Sequence, residues 1–188
     1  PKAYKIRSVP KPDVLVYNTN QCKDVMHWFE FYARQFKVPV YGIHPPTHLS
    51  EVRKHHIADV VLQFKDLASQ LQNITRKKLD ESCLSKVVGL SMEASDLWSA
   101  VLATAKNKPS PLTFFDATIY MGPIVVLRGT EAARDFYRSL LKEIRGLVRN
   151  GVAAVPAEKT RIYWDGMPVW GRLRDLADLF KRNHACVI

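Results

Sequence analysis

Two short apolar runs on either side of one amphipathic segment constrain the fold of this chain most. PDVLVYN (12–18) and KVPVYGI (37–43) are typical of strands, and between Cys22 and Phe36 apolar residues recur at helical spacing. A strand, a helix and a strand with short connections form a βαβ unit, whose strands are parallel neighbours. TRIYWDG (160–166), the helical spacing of WGRLRDLADLF and the terminal ACVI predict a second unit of this kind.

The segment between these units has helical periodicity. Asp80 or Ser82 is a candidate N-cap, as is Thr130, while Gly151 suits the end of a helix. Gly122-Pro123 marks a kink or turn. We therefore expect an α/β fold with two parallel-sheet, Rossmann-like lobes linked by a helical region. The expected regions are the end of a first lobe (1–48), the helical region (49–155) and the start of a second lobe (156–188). Both lobes look incomplete, as in a piece of a longer protein.

Composition narrows the class of protein. The 188 residues are 47% hydrophobic and 24% charged, as in ordinary globular proteins. No apolar run is long enough for a membrane span, and the N-terminus lacks the apolar centre of a signal peptide, so we expect a cytoplasmic protein without a membrane partner. The net charge of +10 would suit nucleic acid, but no nucleic-acid motif accompanies it. A phosphorylated small substrate or solvated helix faces explain the charge at least as well.

Distinctive residues follow two of the predicted strands. Asn18-Thr19-Asn20-Gln21-Cys22 follows the first, and Trp164-Asp165-Gly166-Met167-Pro168 follows the third. Ligands of parallel α/β sheets collect at the carboxyl ends of strands. A cysteine at a helix N-terminus there is favoured as a thiolate, which suits a metal, a cluster iron or nucleophilic attack. The alternatives are a packed small residue at Cys22, a helix cap at Asp165 and a core aromatic at Trp164.

The other cysteines and the histidines are expected to have structural rather than chemical roles. Cys83 lies in an amphipathic segment and Cys186 in an apolar strand, so both are expected in the core. The three cysteines form no CxxC pair, and the histidines have no metal-binding register. The sequence contains no GxGxxG, phosphate loop or GxSxG elbow.

Three segments together resemble a known family. PDVLVYNTNQCKDVMHWFEFYARQFKVPVYGI, MGPIVVLRGTEAARDFYRSLL and RIYWDGMPVWGRLRDLADLF, in this order, are similar to the 2-hydroxyacyl-CoA dehydratase and benzoyl-CoA reductase family. The NTNQC and WDGMPVW versions resemble benzoyl-CoA reductase-type subunits most. The resemblance implies an iron–sulfur subunit that pairs with a homologous second subunit. A separate ATP-hydrolysing iron–sulfur activator delivers a low-potential electron, which passes through a [4Fe-4S] cluster to the carbonyl of an acyl-CoA substrate.

The resemblance also implies roles for particular residues. Cys22 matches the family's strand-end cysteine and would be a cluster ligand; the remaining ligands would lie outside this chain, which alone would be inactive. Hydrogen bonds to cluster sulfurs would come from Asn18, Asn20 and Gln21. In the second lobe, Trp164 and Asp165 would bind substrate.

One residue departs from the family pattern, and other functions stay open. His44 stands where the family often has an acidic residue, so a role tied to that position is in doubt. One alternative is an iron–sulfur redox or maturation protein of the same fold, or a non-catalytic partner subunit. Another is a basic module that binds nucleic acid.

Overall fold

The computed structural model describes residues 9–20 and 22–188, which fall into two compact units divided between Leu79 and Asp80. The first unit contains β1 (Leu15–Asn18), α1 (Lys23–Phe36), β2 (Val40–Ile43) and α2 (Lys54–Thr75). The second contains α3 (Glu81–Ala103), α4 (Phe114–Tyr120), α5 (Gly122–Val126), α6 (Glu131–Arg149), β3 (Thr160–Ile162), α7 (Leu173–Arg182) and β4 (Ala185–Val187). The expected α/β fold is confirmed, with one small parallel sheet in each unit.

The first sheet is the predicted βαβ unit. β1 and β2 are parallel, in a register that pairs Leu15 with Val40 and Asn18 with Ile43. Lys37 ends α1 in a left-handed conformation with φ 55°, and its N–H donates to the carbonyl of Ala33, which turns the chain directly into β2. β1 is shorter than predicted and is half-buried only at Leu15 and Tyr17, because successive side chains of a strand point to opposite faces and α1 packs on one of them, where Phe29 contacts Tyr17.

The second sheet is also parallel, as predicted. Thr160 pairs with Ala185 and Ile162 with Val187. β4 is buried at all three of its residues. The chain therefore brings the carboxyl end of β3, where Tyr163 and Trp164 follow, to the same sheet edge as Ile188.

The core of the second unit lies where α3 packs along α6. It consists of Ala94, Val101, Leu112, Ile124, Ala133, Tyr137, Leu140, Leu141 and Ile144. Of the two candidate caps of α3, Asp80 is the one observed; Thr130 caps α6 as predicted, and Gly151 follows α6 with φ 64°. No helix within residues 9–20 and 22–188 combines the length and the apolar character that crossing a membrane requires.

Tyr137 stabilises the break between α4 and α5 at Gly122-Pro123. Its hydroxyl donates to the carbonyl of Tyr120 over 2.8 Å and accepts from the N–H of Ile124 over 3.0 Å. The Tyr137 side chain is fully buried, so these two backbone groups depend on it for a hydrogen-bond partner.

Tyr137→Phe is therefore expected to lower the free energy of unfolding of the second unit by about 1–3 kcal/mol, since it leaves both buried groups unpaired. Native-state amide exchange along α6 measures the change. Tyr163→Phe is the matched control, because Tyr163 is 81% exposed and should have no effect. Equal stabilities of the two variants would show that the Tyr137 hydroxyl contributes nothing.

A buried ion pair joins the second sheet to the end of α3. The Arg161 Nε donates to Glu158 over 2.5 Å, and its other nitrogens donate to the carbonyls of Ala105 (2.9 Å) and Asn107. Glu158 also accepts from the N–H of Ser110 over 2.7 Å. Burial alone would raise the pKa of Glu158, but the hydrogen bonds from Arg161 and Ser110 and the charge of Arg161 outweigh it and lower that pKa.

This lowered pKa predicts a dependence of stability on pH. A carboxyl whose folded pKa lies below its unfolded value, about 4.3 for glutamate, stabilises the fold above that value and loses the contribution as pH falls through the folded pKa. The free energy of unfolding should thus fall more steeply below about pH 4.3 in the wild type than in Glu158→Gln. Urea unfolding of both proteins between neutral and acid pH tests this; parallel pH profiles would contradict it.

Candidate functional site

The carboxyl end of β1 forms a tight polar turn. The N–H of Thr19 donates to the carbonyl of Ile43 over 3.0 Å, which continues the sheet by one residue. The N–H of Asn20 donates to Oδ1 of Asn18 over 2.8 Å. Gln21, predicted to lie near a cluster, is outside the described residues. The turn thus fixes the orientation of the Asn18 amide.

Cys22 is the N-cap residue of α1. Its backbone is extended, with φ −63° and ψ 149°, and its carbonyl accepts from the N–H of Val25 over 3.1 Å. The side chain makes no capping hydrogen bond and is exposed. The helix dipole places partial positive charge at this end, which favours a bound anion. A free, exposed thiol at a strand-to-helix junction is chemically suited to be one ligand of a soft metal centre.

The described residues contain no complete set of metal-ligating side chains. Among them, no group of three or more His, Cys, Asp and Glu side chains is placed to hold a metal ion. A [4Fe-4S] cluster takes up to four thiolate ligands, so Cys22 could supply one of them but the described residues could not supply a full set.

The carboxyl end of β2 is held by α2. Gln63 Oε1 accepts from the N–H of His44 over 2.7 Å, and Gln63 Nε2 donates to the His44 carbonyl over 3.2 Å. The His44 ring lies against Gly42: a Cβ there would be 3.0 Å from Nε2 and 3.1 Å from Cζ of Tyr17. His44 is thus a positioned side chain at this strand end. No local pattern indicated its partner Gln63, which is nineteen residues away.

Trp164 and Asp165 follow β3 in the second unit, where their side chains differ in burial. Trp164 is half-buried and packs on Phe114, with ring centroids 5.7 Å apart, and on Phe115 and Phe180, each at 6.3 Å. Asp165 is exposed and does not cap α7, whose N-cap is Arg172. The capping alternative for Asp165 is therefore wrong.

Several exposed apolar and aromatic side chains of this loop were not among the predicted site residues. Tyr163 and Met167 are 81% and 77% exposed, and Trp170 is exposed as well. The signal for Tyr163 was its position between Ile162, the last residue of β3, and Trp164, since successive side chains of an extended segment point to opposite faces.

The two other cysteines have opposite environments. Cys186 is buried as predicted, and burial, with the nearby charge of Glu158, raises the pKa of its thiol, so it stays protonated. Cys83 was expected in the core but is exposed. It lies in the first turn of α3, where Asp80 caps the helix, and the residues of α3 that pack in the core begin only at Ala94.

Comparison with known proteins identifies the family. Residues 2–188 match the model of the family described as "2-hydroxyglutaryl-CoA dehydratase, D-component". This chain belongs to that family. The resemblance inferred from the three sequence segments is thereby confirmed.

Curated relatives in this family come from two kinds of enzyme. The chain is 33% identical over 168 residues to the (R)-phenyllactyl-CoA dehydratase alpha subunit of Clostridium sporogenes, a match that covers 88% of this chain and 41% of the relative. It is 32% identical over 170 residues to the alpha subunit of lactoyl-CoA dehydratase of Anaerotignum propionicum, covering 88% and 40%. It is 29% identical over 192 residues to a benzoyl-CoA reductase subunit of Thauera aromatica, covering 97% and 44%. The chain therefore spans about two fifths of the length of these family members.

Proposed function

We propose that this chain serves in a subunit of an ATP-dependent, radical-type CoA-thioester reductase or dehydratase. The observation that carries the proposal is the exposed Cys22 thiol at the β1–α1 junction, in a chain that matches the family over residues 2–188. When bound, a [4Fe-4S] cluster would supply the electron that reduces the acyl-CoA carbonyl. Cys22 would hold one of its irons as a thiolate, with the remaining ligands outside this chain.

The residues of the polar turn would tune that site. Oδ1 of Asn18 is already occupied by the N–H of Asn20, which orients the amide and leaves its NH2 group as a donor. Hydrogen bonds from Asn18, and from Asn20 and Gln21 on the same turn, would stabilise added negative charge on cluster sulfurs and raise the potential.

The substrate would contact the second strand-end segment. Asp165 is the exposed polar group there, whereas Trp164 is anchored among Phe114, Phe115 and Phe180. We therefore assign Asp165 the contact with the CoA thioester and Trp164 the positioning of the loop. The proposed partners are a homologous second subunit and an ATP-hydrolysing iron–sulfur activator. A cytoplasmic location belongs to the proposal, because cluster-binding thiols must stay reduced.

The test uses the complete enzyme, prepared without oxygen and mixed with the activator, ATP and a reductant. Benzoyl-CoA and a 2-hydroxyacyl-CoA are added in turn, and products and paramagnetic signals are followed. We expect turnover of one of the two thioesters that stops when ATP is omitted. Ring reduction would identify the reductase and loss of the hydroxyl group the dehydratase. An intact cluster with no binding of either thioester would contradict the proposal and favour a redox, maturation or non-catalytic role.

A further inference from the structure

A strongly basic groove runs along α3 and α6 in the second unit. It consists of two adjoining cavities of about 380 and 350 Å³ that share Arg145 and Arg149. The cations that line them are Lys106, Arg138, Lys142, Arg145 and Arg149. The floor is largely apolar and includes Leu97, Ala100, Ala103, Leu141 and Val148. Cavities of this size are within the range of small-molecule sites.

Most of the positive charge in the groove is not neutralised by the protein. Arg138 pairs with Glu93 over 2.5 Å and with Asp135 over 3.0 Å. Within the part of the chain that the structure describes, no carboxylate forms an ion pair with the other four cations, and none lines either cavity. Arg145 and Arg149 are four residues apart on one helix, where like charges destabilise the helix by a few tenths of a kcal/mol.

Helix dipoles offset only part of this positive charge. The ion pair of Lys86 with Glu131 lies near the N-terminal ends of α3 and α6, and that of Arg138 with Glu93 lies further along both, so the two helices run parallel. Their C-terminal ends therefore meet at the groove, and each contributes roughly half a negative charge. Among the described residues, four cations without an ion pair against about one negative charge leave an excess of about three positive charges.

We propose that this groove binds the phosphate groups of a nucleotide, with the base against the apolar floor. A guanidinium group donates two parallel hydrogen bonds to two oxygens of one phosphate, and a lysine adds a point charge. This set of cations therefore suits a diphosphate. Two sources offer this chemistry: a free nucleoside diphosphate, or the phosphorylated ADP end of a CoA thioester. The second source rests on the proposed function, whereas the first does not.

The experiment measures binding of ADP, CoA, adenosine and inorganic pyrophosphate to the full-length protein by calorimetry at low salt. The groove variant is Lys142→Gln with Arg145→Gln. The control is Lys65→Gln with Arg174→Gln, which removes the same charge from exposed helix positions that do not line the groove. We expect ADP or CoA to bind at least tenfold more weakly to the groove variant and equally well to the control. Higher salt should weaken the wild-type complex, because the groove is open to solvent.

The possible outcomes distinguish a free nucleotide from a CoA thioester and include the results that would overturn the proposal. Binding of ADP but not CoA supports a free nucleotide, and binding of CoA but not ADP supports the thioester. No binding of either, equal losses in both variants, or adenosine binding as tightly as ADP would overturn the phosphate site. If pyrophosphate binds as tightly as ADP, the base adds nothing to the affinity, and its proposed contact with the apolar floor is overturned. Turnover of the CoA thioester is measured separately from ADP binding, so failure of the proposed reaction leaves the ADP result intact.

Discussion

Cys22→Ser in the complete subunit is expected to lower turnover of the CoA thioester roughly 100-fold or more, with a matching loss of cluster iron. Substitutions outside the ligand set of a metal site already cost 10–100-fold, so loss of a ligand should cost at least as much. A serine hydroxyl is a hard donor that stays protonated at neutral pH, and it replaces a soft thiolate. Turnover and iron per subunit are measured on enzyme purified without oxygen.

Cys83→Ser is the matched control for this variant. Cys83 is also an exposed cysteine at the start of a helix, but it lies in the first turn of α3 rather than at a strand end. Its loss should leave turnover and iron unchanged. Because the thiols of both cysteines are exposed, neither variant should lose folding stability. Wild-type turnover in Cys22→Ser, or an equal loss in Cys83→Ser, would contradict a specific role for Cys22.

Arg161→Met is expected to lower the free energy of unfolding of the second unit by about 3–5 kcal/mol, the cost of breaking a buried ion pair from one side. The side chains of Arg161 and Glu158 are 18% and 6% exposed. The variant leaves the Glu158 charge without its partner and removes the donors to the carbonyls of Ala105 and Asn107. Native-state amide exchange in β4, which pairs with the strand that holds Arg161, reports the loss.

Two further variants identify the cause of this loss. Arg138→Met also breaks ion pairs, with Glu93 and Asp135, but its side chain is 56% exposed, so we expect a change below about 1 kcal/mol. Adding Glu158→Gln to Arg161→Met removes the unpaired charge and should restore part of the stability. Equal effects of Arg161→Met and Arg138→Met would show that burial of the pair contributes nothing.

The sequence predicted the features that depend on local patterns. The parallel pairing of β1 with β2 and of β3 with β4 followed from strand and helix periodicity and short connections. The cap at Thr130 followed from residue chemistry alone, and the observed cap Asp80 was one of the two candidates for α3.

What the sequence could not show depends on distant contacts. Arg161 bonds to the carbonyl of Ala105, fifty-six residues away, and nothing near either residue indicates it. Cys83 was expected in the core because it lies in an amphipathic segment, yet Leu84 and Val87 in the same part of α3 are exposed too. An amphipathic pattern shows which face of a helix is apolar but not how much of the helix another element covers.

The candidate site was predictable to a similar extent. The position of Cys22 at the end of a strand and the start of a helix followed from the pattern, and its exposure is seen in the structure. The anchoring of Trp164 by Phe114, Phe115 and Phe180 was not visible, because these four aromatic residues come from three separate segments of the chain.

The most direct measurement replaces Cys22 with selenocysteine in the complete subunit and records the X-ray absorption of selenium under strict exclusion of oxygen. An iron neighbour bonded to the selenium atom is the result that we predict, and it should vanish when iron is chelated. A selenium atom with only its own carbon as a bonded neighbour, in a preparation that retains its iron, would show that residue 22 does not hold the cluster.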